Sequence, residues 1–347
     1  MTTRYDPGRD ELAELLEGEP RYRVDQLWRG LYTRLADPGD MTDLPSELRS
    51  TLADLLPAAL TAVAESRSDG GETVKWLWAL PDGKLVETVL MHYRDRTTVC
   101  VSSQAGCAMG CGFCATGQTG FDRHLTTGEI VEQVVRAMQC SHPRRVANVV
   151  FMGMGEPLAN FDNTWRAVRR IHDDLGLGAR HLTLSTVGIV GGIDRLASAD
   201  LPVNLAVSLH AANDTKRDEL VPINRRYPLH ELAAACHRYL RATRRRLSLE
   251  WAMMDGVNDS ALDAEQLAGF ALPLRAHVNL IPLNPTPGWP SAGSPPERVR
   301  AFRAALVDRG VNVTVRANRG TDIDAACGQL RARSPVAVPP PGRRLPH

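Results

Sequence analysis

The chain has 347 residues, 43% of them hydrophobic, with 41 basic against 40 acidic side chains and a formal net charge of +1. This length supports a substantial core plus a small extra unit, and the balanced charge excludes a protein whose whole surface is built to bind polyanions. No run of 18 apolar residues predicts a transmembrane helix, and the charged start from Met1 to Glu11 lacks the apolar stretch of a signal peptide, which reads as a cytoplasmic protein.

Residues 1–66 read as a small helical accessory domain. Apolar residues recur at helical spacing from Tyr22 to Tyr32, Pro38-Gly39-Asp40 breaks the chain, and a second helix follows from Glu47 to Leu56. Residues 67–97 read as a β-hairpin linker. Trp76–Ala79 and Val86–Leu90 are strand-like, and Pro81-Asp82-Gly83 supplies the turn. From 98 to 333, β-branched strands (98–103, 148–153, 181–187, 204–209, 248–254, 277–283, 311–316) alternate with helices (127–141, 161–175, 229–246, 261–272, 296–309). That alternation predicts an α/β fold with a parallel sheet, barrel-like or doubly wound. The segment 334–347, with Pro339-Pro340-Pro341, reads as a disordered tail.

Lysine stands only at 75, 84 and 216, so the basic residues are nearly all arginine. Arg144-Arg145, Arg225-Arg226 and Arg241 with Arg244-Arg245-Arg246 form local groups suited to bidentate phosphate contacts. Each also reads as an ordinary solvated helix face.

Seven cysteines, an odd number, argue against a disulfide scaffold in a reducing compartment. Cys140 and Cys236 lie in amphipathic helical segments and read as core packing. Cys107, Cys111 and Cys114 form a C-x3-C-x2-C run among Gly106, Gly110, Gly112 and Gly117. Three thiolates suit a [4Fe-4S] cluster with one open iron, since a ferredoxin run supplies four cysteines at another spacing. A zinc loop completed by His124 or Cys100 is the competing reading.

This triplet after a strand, with Phe113 before its third cysteine, resembles the radical S-adenosylmethionine (SAM) superfamily. Gly153-Met154-Gly155-Glu156-Pro157, closing the next strand, resembles that superfamily's Gly-Glu-Pro motif. Cys327 in Cys327-Gly328-Gln329-Leu330, with Cys100 ahead of the triplet, is similar to the RlmN/Cfr group of RNA adenine methyltransferases. The likeness runs from about residue 22 to 330. It implies a partial, open parallel α/β barrel of the radical SAM type.

The resemblance also implies roles. Cys107, Cys111 and Cys114 would hold the cluster, whose fourth iron binds SAM. Gly155, Glu156, Ser185, Ser208, Leu209, His210, Asn284 and Phe113 would surround SAM, two molecules of which are used per turnover. Cys327 would carry a methyl group as S-methylcysteine, a 5′-deoxyadenosyl radical would activate it, and an RNA–protein adduct would form. Glu87 would accept the ring proton, and Cys100 would release the product by forming a disulfide with Cys327. Implied partners are 23S rRNA, tRNA and a flavodoxin or ferredoxin as electron donor, with the enzyme a monomer and residues 1–66 a candidate RNA-binding surface. C2 of adenine is favoured over C8 (the Cfr-like, antibiotic-resistance alternative) because the N-terminal unit and the lead Arg319–Asp324 into Cys327 are retained. A non-enzymatic zinc or iron–sulfur RNA-binding protein is the reading from a different class.

Overall fold

A computed structural model describes residues 2–332, so the tail expected at 334–347 lies outside them. Three helices come first: α1 (Arg9–Leu15), α2 (Tyr22–Tyr32) and α3 (Ser46–Leu55). α2 follows the expected spacing, with Leu27, Trp28, Leu31 and Tyr32 buried. The indole of Trp28 donates to Asp174 at 3.0 Å, and the Arg170 guanidinium lies 4.5 Å from the ring centroid. These contacts dock the helical unit against the rest of the protein.

The next strands are β1 (Thr61–Ser68), β2 (Thr73–Ala79), β3 (Leu85–His92) and β4 (Thr97–Cys100), each antiparallel to the one before it. The boundary read at residue 66 therefore falls inside a strand. The hairpin is also no detached linker, because β3 pairs directly with β4. After β4 come β5 (Gln104–Gly106), α4 (Ala115–Thr119), β6 (Phe121–His124) and α5 (Thr127–Ser141). The alternation then runs β7 (Val146–Phe151), α6 (Phe161–Asp173), β8 (Leu182–Thr186), α7 (Val190–Ala197), β9 (Asn204–Ser208), α8 (Asp214–Leu220) and α9 (Leu229–Thr243). It ends with β10 (Leu247–Met253), α10 (Ala261–Ala271), β11 (His277–Pro282), α11 (Pro296–Asp308) and β12 (Asn312–Val315).

Among the described residues, ten strands form one sheet in the order β1-β2-β3-β4-β7-β8-β9-β10-β11-β12, and β5 pairs with β6 in a small second sheet. From β4 to β12 every neighbour in the large sheet is parallel. Its ends, β1 and β12, do not pair, so the barrel-like sheet is open.

Local chemistry sets the helix ends. Thr126 accepts from the Glu129 amide at 3.2 Å, and the Glu129 carboxylate accepts from the Thr126 amide at 2.9 Å, a reciprocal cap that starts α5. One face of α5 is core. Cys140 lies on the other face and is exposed, which corrects its reading as core packing, whereas Cys236 on α9 is buried.

The chain after β12 spans the open side. The Arg316 amide still bonds the Leu280 carbonyl at 2.8 Å. The Arg319 guanidinium then reaches the His92 carbonyl at 2.8 Å, and the Gly320 amide reaches Asp69 at 3.3 Å. Residues 316–332 thus form a strap from one sheet edge toward the other.

Candidate active site

The carboxyl ends of the parallel strands, the cluster-type loop and the strap enclose one cavity. Cys107, Cys111 and Cys114 line it beside Phe113. The loop can turn so tightly because of its glycines. Gly106 has φ +74°, and a Cβ there would lie 2.1 Å from the Gly120 carbonyl oxygen, far inside contact. Burial pushes the Cys107 thiol up to about 12 and the Cys111 thiol well above its usual value. Such thiols become good ligands when bound iron supplies positive charge.

Among the described residues, no three His, Cys, Asp or Glu side chains are grouped to hold a metal ion. His124 instead bonds the Gln104 side-chain amide at 3.0 Å and does not line the cavity, and Cys100, though it lines the cavity, is not grouped with the triplet closely enough to hold one ion. Three cysteines lining one wall of a roomy cavity fit a bulky polynuclear centre better than a single ion.

The turn Gly153–Pro157 forms the next part of the wall. Gly155 has φ +95°, and a Cβ there would lie 2.4 Å from Cβ of Gln104. The buried Glu156 carboxylate accepts from the amides of Leu158 at 3.0 Å and Val187 at 2.8 Å. Burial outweighs those bonds and raises its pKa to about 7. Ser185 and Ser208, from the ends of β8 and β9, line the cavity with their hydroxyls 3.5 Å apart.

His210 also lines it, edge-on to Phe113 with ring centroids 4.8 Å apart. Burial lowers its pKa to about 3, so the ring is neutral. Its Nδ1 accepts from the Ala252 amide at 3.0 Å, which places the ring proton on Nε2. A ring this reluctant to protonate is unsuited to general-base work at neutral pH.

Cys100 and Cys327 both line the cavity and both are free thiols, the first buried and the second exposed. Burial first, then Cys327, pushes the Cys100 thiol up to about 12. Three expected residues do not line the cavity. Leu209 is fully buried and its carbonyl accepts from Arg217 at 3.1 Å. Asn284 donates to the Cys327 carbonyl at 3.1 Å and so supports the strap. Glu87 pairs with Lys75 at 2.9 Å and accepts from the Arg331 amide at 2.8 Å.

Sequence reasoning missed several charged residues here. Arg217 is fully buried and donates to the carbonyls of Leu209 at 3.1 Å and Val187 at 2.6 Å, and to the Asn224 side chain at 2.8 Å. It therefore ties together the loops after β8 and β9. Arg316 lines the cavity with Glu250, their charged ends 3.8 Å apart, and Oε2 of Glu250 has no hydrogen-bond partner. Cys327 foremost, then Glu250, favours the charged form of Arg316 against its burial. Ser102 binds three segments: its hydroxyl donates to the Glu87 carbonyl at 2.6 Å and accepts from the Met154 amide at 3.0 Å, while Gln133 holds its backbone.

Residues 101–268 match the radical SAM superfamily. A protein from Chloroflexus aurantiacus, named a probable dual-specificity RNA methyltransferase RlmN, is 52% identical, over 96% of this chain and 94% of its own. A protein of the same name from Salinispora tropica is 52% identical, over 94% of this chain and 91% of its own. The chain belongs to the RlmN family of radical SAM methyltransferases. The crystal structure of a radical SAM methyltransferase from Sphaerobacter thermophilus superposes with a TM-score of 0.93 at 52% identity, covering 96% of this chain and 100% of that one. RlmN-family membership implies an iron–sulfur cluster and SAM, which the cavity's three thiols and buried carboxylate suit. Among the described residues no helix is long and apolar enough to cross a membrane.

Proposed function

We propose that this chain methylates C2 of an adenine in 23S rRNA and in tRNA. The observation that carries the reading is the convergence of Cys100 and Cys327 on the cavity lined by the three-cysteine loop. A radical SAM enzyme without a sulfur carrier has no use for that second pair of thiols. The relatives named as dual-specificity RNA methyltransferases support the substrate class.

In this reading Cys107, Cys111 and Cys114 hold a [4Fe-4S] cluster. Gly155, Glu156, Ser185, Ser208, His210 and Phe113 face SAM in the cavity, with Leu209 and Asn284 behind them. When bound, these groups supply the methyl group and the radical chemistry that an unreactive ring carbon demands. Cys327 carries the methyl group as a thioether; the radical that bound SAM would supply takes a hydrogen atom from it, its carbon joins the adenine ring, and the surplus electron would pass back to the cluster. Glu87 accepts the ring proton. Cys100 attacks the Cys327 sulfur, the sulfur–carbon bond breaks with its electron pair on carbon, and a proton completes the methyl group. The resulting disulfide is reopened by an external thiol. A flavodoxin or ferredoxin supplies electrons, and the enzyme works as a cytoplasmic monomer.

The target base must leave its stack to enter the cavity. Arg225 and Arg226 are exposed and follow Pro222, which lies against Gly110 of the cysteine loop. They are the better phosphate contacts on this reading. Arg244, Arg245 and Arg246 precede β10, at the sheet end away from the cavity.

The test is nucleoside mass spectrometry of 23S rRNA and tRNA after anaerobic incubation with reconstituted enzyme, SAM and reductant, with Cys327→Ala as control. The expected product is 2-methyladenosine that vanishes in the control. Finding 8-methyladenosine would assign the C8 reaction, and SAM cleavage without methylated adenine would refute RNA as substrate.

A further inference from the structure

The buried Lys75–Glu87 pair does more than neutralise charge. Side-chain exposures are 12% and 3%, and Nζ of Lys75 lies 2.9 Å from Oε1 of Glu87. Oε2 of Glu87 accepts from the backbone amides of Arg331 at 2.8 Å and Ala332 at 3.2 Å. Lys75 also donates to the Asp324 carbonyl at 3.2 Å. Asp324 and Arg331 close the circuit through a 2.7 Å side-chain bridge. The loop from Asp324 to Ala332 is therefore pinned at both ends on one ion pair, and Cys327 rides between the pins.

We propose that Lys75 is a positioning residue that joins Glu87 and the Cys327 loop into one clasp, which opens when Glu87 takes a proton. This rests on Glu87 being the proton acceptor of the reaction above. A carboxylate makes charge-assisted bonds to backbone amides, stronger than those of a neutral acid. When the ring carbon's proton moves to Glu87, the electron pair of that bond stays in the ring and the carboxylate loses its charge. Its hold on the Arg331 and Ala332 amides weakens. Lys75 is left with a buried charge whose only remaining partner among the described residues is the Asp324 carbonyl, which favours turning the partly exposed ammonium out to water. Both pins of the loop loosen at the step after which Cys327 must meet Cys100 and let the product go.

Lys75→Met and Lys75→Arg, made in the full-length enzyme, test this with three readouts. The first is amide hydrogen exchange over residues 324–332 in the protein as isolated. The second is the fraction of Cys327 bearing a methyl group, and the third is the fraction of protein covalently joined to RNA on a denaturing gel. In Lys75→Met, exchange at the loop rises roughly tenfold, as expected for losing one charge-assisted bond. Cys327 is methylated as in the parent, the RNA–protein adduct accumulates, and Lys75→Arg restores turnover. Unchanged exchange overturns the clasp. Parallel loss of Cys327 methylation and turnover, with no adduct, reduces Lys75 to a structural residue and overturns the proposal. Glu87→Gln separates the two ideas. If the parent methylates adenine and Glu87→Gln turns over normally, the proton-acceptor reading fails and the coupling fails with it, while the exchange result still judges the clasp.

Discussion

The cavity has two walls that are built differently. The first, Cys107–Cys114 with Gly153–Pro157, comes from two nearby stretches whose own glycines and backbone bonds shape them. The second is the strap, held from behind by Glu87 and Lys75 at sequence separations of 244 and 249 residues, through a handful of polar contacts. One wall belongs to the chemistry shared across the superfamily. On the reading proposed above, the other carries what is particular to this reaction, and a wall held by a few contacts suits a part that has to move.

Paired cysteine variants test that division most severely. Cys111→Ala is expected to abolish both iron binding and SAM cleavage. Cys327→Ala is expected to keep both while methylated RNA falls below detection. Iron analysis and SAM-cleavage assays on the two proteins decide it, and loss of iron in Cys327→Ala would merge the walls.

Rigidity of the first wall is probed next. Arg217→Met orphans several buried carbonyls and is expected to cost about 3–5 kcal/mol in urea unfolding. Asn284→Ala removes two bonds to the strap, one to the Cys327 carbonyl and one from Asn318, and is expected to cost only about 1 kcal/mol in the same assay. Between them falls Gly155→Ala, whose Cβ would strike Gln104 at a positive φ, with an expected loss of roughly 1–3 kcal/mol.

The last test is a pH slope. The folded pKa of His210, about 3, lies below its unfolded value of 6.5, so its contribution is complete above 6.5 and is lost as pH falls. Wild type should therefore lose about 1.4 kcal/mol more than His210→Gln per pH unit below that point. Urea titrations at pH 6 and 5 measure the difference, and equal slopes would show that the ring is not buried neutral.

Much of the fold was legible in local pattern. The helix expected at 127–141 is found at Thr127–Ser141, since Thr126 and Glu129 announce its start and Pro143 its end. β1 was hidden because Thr61–Ser68 is an edge strand, largely exposed and rich in small and polar residues. α7 and α8 escaped for related reasons: one begins with Gly191-Gly192, and the other is nearly all charged.

In the site, the cysteine triplet and the Gly-Glu-Pro turn were readable because their meaning lies within a few residues. Arg217, Glu250 and Arg316 were not, since each is an ordinary charge until its distant partner is known. Lys75 did offer a signal. It is one of three lysines in the chain, set beside Trp76 and Trp78 in a strand. A lone ammonium in that company needs a counter-ion, and Glu87 stands on the neighbouring strand.

The strap has a consequence for how the protein comes into being. Synthesis runs from the N-terminus, so the parallel strands and the three-cysteine loop leave the ribosome before the segment that seals the open side. Glu87 on β3 waits through more than half of translation for the loop that will pin it. A chain halted after β12 would have its three-cysteine loop and its Gly153–Pro157 turn, yet no Cys327. The cavity's first wall is born before the strap that closes it.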